Sequence, residues 1–479
     1  MSDSIKEQTL SGFKWNALGR FSTYAIQFVL GIVIARLLDP ADYGVIGMLA
    51  IFMAIAQSFT DSGFGSALIQ KRERTEVDCS TAFYFNVAVA VLLYGVLFLS
   101  APAIAAFYNT PLLTDVVRAY SLTLIIGSLG IVPRALRSVA VDFKTQAYAS
   151  VISVIVSGLV GLYMAYSGFG VWALVWQAII GSCVSVAVIW VLARWRPLWV
   201  YSWESFRSMF SYGSKILVSG LLHTVYTHAS SILIGKFYTP AELGNYDRGN
   251  SIASLPSLRL SDVFHNVTFP ILSKLQDDDE RLKHVYHKYV AMTSLVIFFV
   301  MTLLAVVARP LVQLLLTEKW LGAVPFLQVF CFAYMFDSIC RLNNNMLFVK
   351  GWSGRFLKLE IIKKVIVTPF FLLAIPYGPL VICYVAVLHT VVDIACSTYC
   401  LKKYLGIEIR EYASVAKYFL LSLLACAPAL YVCSLEVSPW ISLSVSVGSA
   451  VVLYWGVLYK DEIMRECVQI VMEVMGVRR

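Results

Sequence analysis

A chain of 479 residues that is 59% hydrophobic and only 14% charged falls well short of the roughly one-quarter charge of a soluble domain. Apolar runs of about 20 residues recur from end to end, long enough to cross about 30 Å of hydrocarbon, and they exclude a soluble globular protein. The net charge of +9 does not point to nucleic acid, because the basic residues sit in short gaps between apolar runs, as membrane topology requires.

The expected elements begin with a polar leader over residues 1–12. No small-residue cleavage site follows the first apolar run, so it reads as a retained anchor. Span one covers about 13–37, span two about 44–68, span three about 81–106 and span four about 114–133. Basic residues Lys71, Arg72 and Arg74 follow span two, and Arg134, Arg137 and Lys144 lie in or near the gap after span four. Spans five (about 148–167) and six (about 170–193) meet at a tight Ser167-Gly168-Phe169-Gly170 turn. The run Arg194-Trp195-Arg196-Pro197 combines arginine and aromatic side chains suited to the headgroup layer. Spans seven to twelve follow at about 210–237, 245–270, 289–316, 323–349, 359–376 and 379–401. Spans thirteen (about 413–433) and fourteen (about 439–459) form an added pair. From Lys460 the tail places Ile463, Cys467, Ile470, Val471, Val474 and Met475 roughly on one face, the pattern of an interfacial amphipathic helix.

Two features organise this series. The stretch Ile32–Gly44 reads IVIARLLDPADYG, and Ile232–Gly244 reads ILIGKFYTPAELG. Each predicts a helix end, a turn, and a new helix with Pro40 or Pro240 in its first turn, so one unit is used twice. Alternate gaps, at 38–43, 107–113, 168–169, 238–244, 317–322, 377–378 and 434–438, carry a single basic residue, Lys319, whereas each intervening gap carries several. The positive-inside rule then puts both termini in the cytoplasm. The expectation is an all-α polytopic membrane protein of fourteen transmembrane helices. It has an N-terminal lobe (1–200, spans 1–6), a C-terminal lobe (207–403, spans 7–12), an added pair (404–459) and a tail (460–479), with the lobes as parallel repeats.

Charges inside hydrocarbon are costly unless they face water or protein, so the polar residues within spans are the candidate site. Arg20 and Gln27 share one face of span one with Thr23 and Tyr24; Gln57 and Asp61 are four apart in span two. Span seven carries Lys215, and span eight carries Arg248, Arg259, Asp262 and Asn266 on one broad stripe. Span ten offers Asp337 and Arg341, four apart, and span eleven opens with Lys363 and Lys364. The surplus is cationic and suits an anionic headgroup, since arginine grips phosphate through paired hydrogen bonds. Arg20, Lys215, Arg248, Lys363 and Lys364 lie near span ends, where snorkelling is an equal reading; Arg341 also reads as a simple partner of Asp337. Asp61, Asp262 and Asp337 are candidate ion-coupling or structural acids. Ser153, Ser157, Gly158 and Gly161 read as close-packing positions, and Pro256, Pro369 and Pro428 as kinks or interruptions.

No enzyme signature appears: Gly63-Phe64-Gly65 lacks dinucleotide spacing, no Walker sequence is present, and no gap is long enough for a catalytic domain. Ten scattered cysteines support neither a metal site nor a disulfide framework, and His223 and His228 are wrongly spaced for a metal. No cofactor is expected.

Leu10-Ser11-Gly12-Phe13-Lys14-Trp15, Ile34-Ala35-Arg36-Leu37-Leu38-Asp39-Pro40-Ala41-Asp42-Tyr43-Gly44 and Asp61-Ser62-Gly63-Phe64-Gly65-Ser66-Ala67-Leu68-Ile69-Gln70 resemble bacterial polysaccharide flippases. The nearest group is the oligosaccharide flippase family that includes the colanic acid exporter, within the multidrug/oligosaccharidyl-lipid/polysaccharide exporter superfamily. The resemblance implies two six-helix bundles around a central cavity with two helices outside. It implies alternating-access transfer of a polyprenyl-pyrophosphate-linked glycan to the outer leaflet of the inner membrane, driven by a proton or sodium gradient, in surface-polysaccharide biosynthesis. Membrane lipids and a polysaccharide polymerase machinery are the implied neighbours, and a monomer suffices. A small-molecule or drug exporter of the same fold is the alternative; it would more naturally show acidic intramembrane sites.

Overall fold

In a computed structural model the described residues are 2–61, 63–71, 73–407, 412–435 and 437–474; side chains at 2–14, 16–18, 212, 215–216, 218–219, 222–223, 263, 266–267, 468 and 470–474 lie outside the description. Twenty α-helices and two short 3₁₀ turns make up the described chain. Among the described residues, eleven stretches are long and apolar enough to cross a membrane. The chain divides into two compact units, Met1–Gly244 and Asn245–Arg479.

The first unit holds α1 (Ser2–Leu37), α2 (Pro40–Asp61), α3 (Phe64–Gln70), α4 (Glu76–Phe107), α5 (Leu113–Tyr120), α6 (Leu122–Ser128), α7 (Ile131–Val139), α8 (Phe143–Tyr166) and α9 (Val171–Ala193). It continues with α10 (Trp203–Thr227), α11 (Ala229–Phe237) and the first turn of α12 (Pro240–Lys274). Small residues bring its helices together, as membrane packing requires. A Cβ on Gly19 would lie 2.4 Å from Ala147 Cβ and one on Gly158 2.2 Å from Leu30, which fixes α1 on α8. Ser153 Oγ donates to the Gly181 carbonyl at 3.0 Å, tying α8 to α9. Span four is broken into α5, α6 and α7, and span seven is divided at His228 between α10 and α11.

Both copies of the repeated turn form as read. The Asp42 carboxylate accepts the Asp39 N–H at 3.1 Å. Thr239 and Glu242 cap reciprocally: Glu242 Oε2 accepts the Thr239 N–H at 2.9 Å and Thr239 Oγ1 accepts the Glu242 N–H at 3.2 Å. The two turns also meet. A Cβ on Gly44 would stand 1.7 Å from the Pro240 carbonyl oxygen, and one on Gly244 1.8 Å from that of Pro40. Each glycine is thus the seat for the other copy's proline carbonyl. The second sequence motif supplies another close approach. Gly63, at φ 70°, breaks α2 from α3, and a Cβ there would lie 2.7 Å from the Gly213 backbone. This turn buries Phe64 fully, against Phe85 at 4.6 Å and Phe206 at 5.8 Å between ring centroids.

The second unit contains the rest of α12, then α13 (Asp279–Val306), α14 (Ala308–Leu316), α15 (Val324–Val349), α16 (Ser353–Ala374), α17 (Pro379–Leu405), α18 (Ala413–Ser434), α19 (Pro439–Leu458) and α20 (Glu462–Val474). The added pair α18 and α19 packs on α13: Thr302 and Ser422 hydroxyls lie 3.2 Å apart, and Tyr454 donates to the Leu295 carbonyl at 2.6 Å. The tail helix α20 docks through Lys288–Glu466 at 2.8 Å, while Asp461 just before it accepts from Tyr418 at 2.9 Å and pairs with Lys417. Met464 is buried; the tail-face side chains from Ile470 to Val474, and Met475 altogether, lie outside the described residues. α12, α16 and α18 run through Pro256 and Pro270, Pro369 and Pro428 as continuous helices. Expected spans seven, eight and eleven fold as α10 with α11, as α12 and as α16, but are not among the eleven apolar stretches. α12 and α16 carry charges along their length, including Arg248, Arg259 and Asp262 on one and Arg355, Lys358, Glu360, Lys363 and Lys364 on the other.

Candidate polar sites within the helices

In the first unit, Arg20 is exposed on α1 and lines a recess of about 370 Å³. Thr23 and Tyr24 share its face, as the helical spacing requires, and Ser138, Gln146 and Ser150 supply the opposite wall from the α7–α8 region. Gln146 Nε2 is itself oriented by Ser138 Oγ at 2.9 Å. The Thr23 hydroxyl is buried and has no hydrogen-bond partner among the described residues. An arginine beside fixed hydroxyl and amide groups has the donors that an anion needs. Asp61, at the end of α2, accepts from Gln57 Nε2 at 3.2 Å. Its electrostatic counterpart is Arg134, whose Nη2 donates to Ser185 Oγ at 3.0 Å. The sequence reading put Arg134 in or near the gap after span four; it lies in α7, within the apolar stretch 113–139. The Lys215 side chain lies outside the described residues.

In the second unit the candidate charges come together as alternating signs. Arg259 pairs with Asp262 at 3.7 Å, one turn apart on α12, with both side chains about half exposed. Arg341 Nε donates to Asp337 Oδ2 at 2.7 Å on α15, and Asp262 also acts on Arg341 through space. Two hydrogen bonds zip α12 to α15 alongside: Tyr334 to Asn250 Oδ1 at 2.6 Å and Ser257 to the Tyr334 carbonyl at 3.0 Å. Arg248 is separate, stacked over the Trp320 ring at 5.5 Å. The acids therefore partly neutralise the cationic surplus read from the sequence.

A third group joins Lys363 and Lys364, named from the sequence, to two acids that sequence reasoning did not name, Glu360 and Asp393. Lys363 is 1% exposed and its Nζ lies 2.9 Å from Asp393 Oδ1, with Glu360 also paired to it. Glu360 sits one turn before Lys363 on α16, reaches Lys364 at 3.9 Å, and Asp393 faces it from α17. The signal was available: Asp393 is a lone acid in the otherwise apolar Pro379–Leu401 run, and Glu360 stands three and four residues before the two lysines. Among the described residues no group of three His, Cys, Asp or Glu is placed to hold a metal.

Comparison with known proteins gives these sites their setting. The family profile for "Polysaccharide biosynthesis protein" matches residues 33–325. The lipopolysaccharide biosynthesis protein WzxC of Escherichia coli (strain K12) is 24% identical over 372 residues, covering 76% of this chain and 75% of its own. The teichuronic acid biosynthesis protein TuaB of Bacillus subtilis (strain 168) is 26% identical over 358 residues, covering 73% and 72%. In solved structures, the lipid II flippase MurJ in an inward closed conformation shares the fold at a TM-score of 0.76 and 12% identity, over 94% of this chain and 100% of its own. An inward-facing multidrug resistance MATE transporter shares it at 0.59 and 16% identity, over 80% and 96%. The chain is a polytopic membrane protein that belongs to the polysaccharide biosynthesis protein family.

Proposed function

We propose that this transporter flips a polyprenyl-pyrophosphate-linked glycan from the cytoplasmic to the outer leaflet of the inner membrane, for a surface polysaccharide. The family match carries this reading, supported by relatives named for lipopolysaccharide, teichuronic acid and succinoglycan biosynthesis. The charged headgroup needs polar groups within the membrane, and Arg20, Lys215, Arg248, Arg259 and Arg341 are the residues proposed to meet it. Asp61, Asp262 and Asp337 are proposed to answer a coupling proton or sodium ion. In this reading fourteen spans form lobes at 1–200 and 207–403 that rock in alternating access. The pair at 404–459 and the tail at 460–479 stand outside them, both termini are cytoplasmic, and the protein works as a monomer.

The test is made in the native bacterium. The protein is depleted, and lipid-linked glycan in spheroplasts is scored for sidedness with a membrane-impermeant glycan-modifying enzyme. The expected result is accumulation confined to the cytoplasmic leaflet. Unchanged amount and sidedness, with no second flippase present, would reject the reading. Export of a small cationic molecule would then lead, because Asp262 and Asp337 flank the cationic candidates and a MATE transporter shares the fold.

A further inference from the structure

We propose that a pocket between the start of α4 and the linker after α9 is a loading site for the lipid-linked glycan, with Arg194 and Arg196 on its phosphates and tryptophan faces against its first sugars. This rests on the transport reading above, and locates the step before the headgroup enters the membrane.

The linker is held in place. The Leu198 N–H donates to Ser80 Oγ at 2.9 Å and the Ser202 N–H to Thr81 Oγ1 at 3.0 Å, and both acceptors are fully buried. Trp195 Nε1 donates to Glu76 Oε2 at 2.8 Å, which occupies the nearby acid, and Trp190 Nε1 donates to the Leu129 carbonyl at 2.8 Å. Arg137 braces the end of α9 by donating to the Leu192 carbonyl at 3.0 Å and is itself paired with Asp142 at 3.1 Å. These contacts fix a pocket of about 860 Å³.

Its lining selects the ligand. The side chains of Arg194 and Arg196 both line it, and neither has an ion pair or hydrogen bond among the described residues. Two such guanidinium groups suit a phosphate or pyrophosphate. Trp190 and Trp195 stand 6.0 Å apart, and Trp199 stacks on Tyr84 at 5.9 Å while remaining 93% exposed. The C–H face of a sugar ring complements the electron-rich face of an indole. Val191, 74% exposed on the outer surface of α9, also lines the pocket, so it opens beside the acyl chains and admits a ligand that is itself a lipid. A glycerophospholipid phosphate would fill only part of about 860 Å³; a pyrophosphate with one or two sugars fits the range of small-molecule sites. Scattered interfacial tryptophans merely anchor a helix. Here Trp190 and Trp195 are held by named hydrogen bonds and Trp199 by stacking on Tyr84, around two arginines uncommitted among the described residues.

The full-length protein in phosphatidylcholine nanodiscs is titrated with a short-chain prenyl pyrophosphate carrying one N-acetylhexosamine, with the bare prenyl pyrophosphate and phosphatidylglycerol as comparators. Wild type is expected to bind the glycosylated probe about tenfold more tightly than the bare one. Arg194→Ala with Arg196→Ala is expected to weaken it by about tenfold per arginine, the scale of one charge-assisted contact. Trp199→Ala should abolish the preference for the glycosylated probe while leaving the bare probe unchanged. All three side chains are exposed, so an unchanged melting temperature serves as the folding control. Equal binding by wild type and the double arginine variant overturns the site and leaves the transport reading standing. Displacement of the probe by equimolar phosphatidylglycerol, or equal binding of the bare probe, overturns it in favour of a lipid anchor. No binding of any probe by wild type overturns both readings.

Discussion

Two ion pairs in the second unit use the same chemistry in opposite surroundings. Lys363 and Asp393 join α16 to α17 with side chains only 1% and 9% exposed; Arg341 and Asp337 lie on one helix at 44% and 30%. A buried charge that loses its partner remains desolvated, so the first pair is a structural commitment even though an apolar replacement of both would serve as well. A half-exposed pair is screened and contributes little to stability, which leaves its side chains available to a ligand or an ion. Burial therefore separates two kinds of helix-borne charge that a sequence shows alike.

The sharpest way to break this contrast is Asp393→Ala, which leaves the buried Lys363 ammonium with Glu360 as its remaining partner and should destabilise the protein by up to about 3–5 kcal/mol, read as loss of folded protein in detergent melts. The double change Lys363→Met with Asp393→Leu should recover most of that stability; failure to do so would mean the pair does more than fill space with paired charge. Next in size, Arg341→Ala and Arg259→Ala should each alter stability by about 1 kcal/mol or less yet lower leaflet transfer severalfold in the spheroplast assay. Full transport by both variants would remove them from the site. The smallest effect belongs to the tail. Burial by itself raises the Asp461 carboxyl, but hydrogen bonds from Lys417, Tyr418 and the Met464 N–H outweigh it and hold the group below the usual carboxylate range. Its contribution is present above the unfolded value of about 4 and is lost as pH falls through the lower folded value. Protease access to α20 should accordingly rise only in acid, and Lys417→Ala should move that onset to higher pH.

The turn motifs were legible because they are local: a proline in the first helical turn, an acid or a capping box, and a glycine all lie within seven residues. The Asp337–Arg341 pair was legible for the same reason, at one helical turn. The burial of Lys363 against Asp393 was not legible because its partner is 30 residues away on another helix, and spacing along one helix cannot reveal a contact between two. Arg134 was placed in or near a gap because the apolar run stops near it; the helix continues, and Ser185 on α9 provides the partner that lets it stay. Breaks at Ser121, Val307 and His228 were invisible, since the residues flanking them are as apolar or as ordinary as those of unbroken spans.

The paired glycines at the repeated turn carry a consequence for how this chain changes over time. Because Gly44 seats the Pro40 counterpart from the second copy, and Gly244 the reverse, a side chain added in either copy collides with backbone belonging to the other. Neither copy can relieve the collision by adjusting itself. The two turns differ in charge and in capping, but at this one crossing a side chain on either glycine would have to displace the backbone of the other turn.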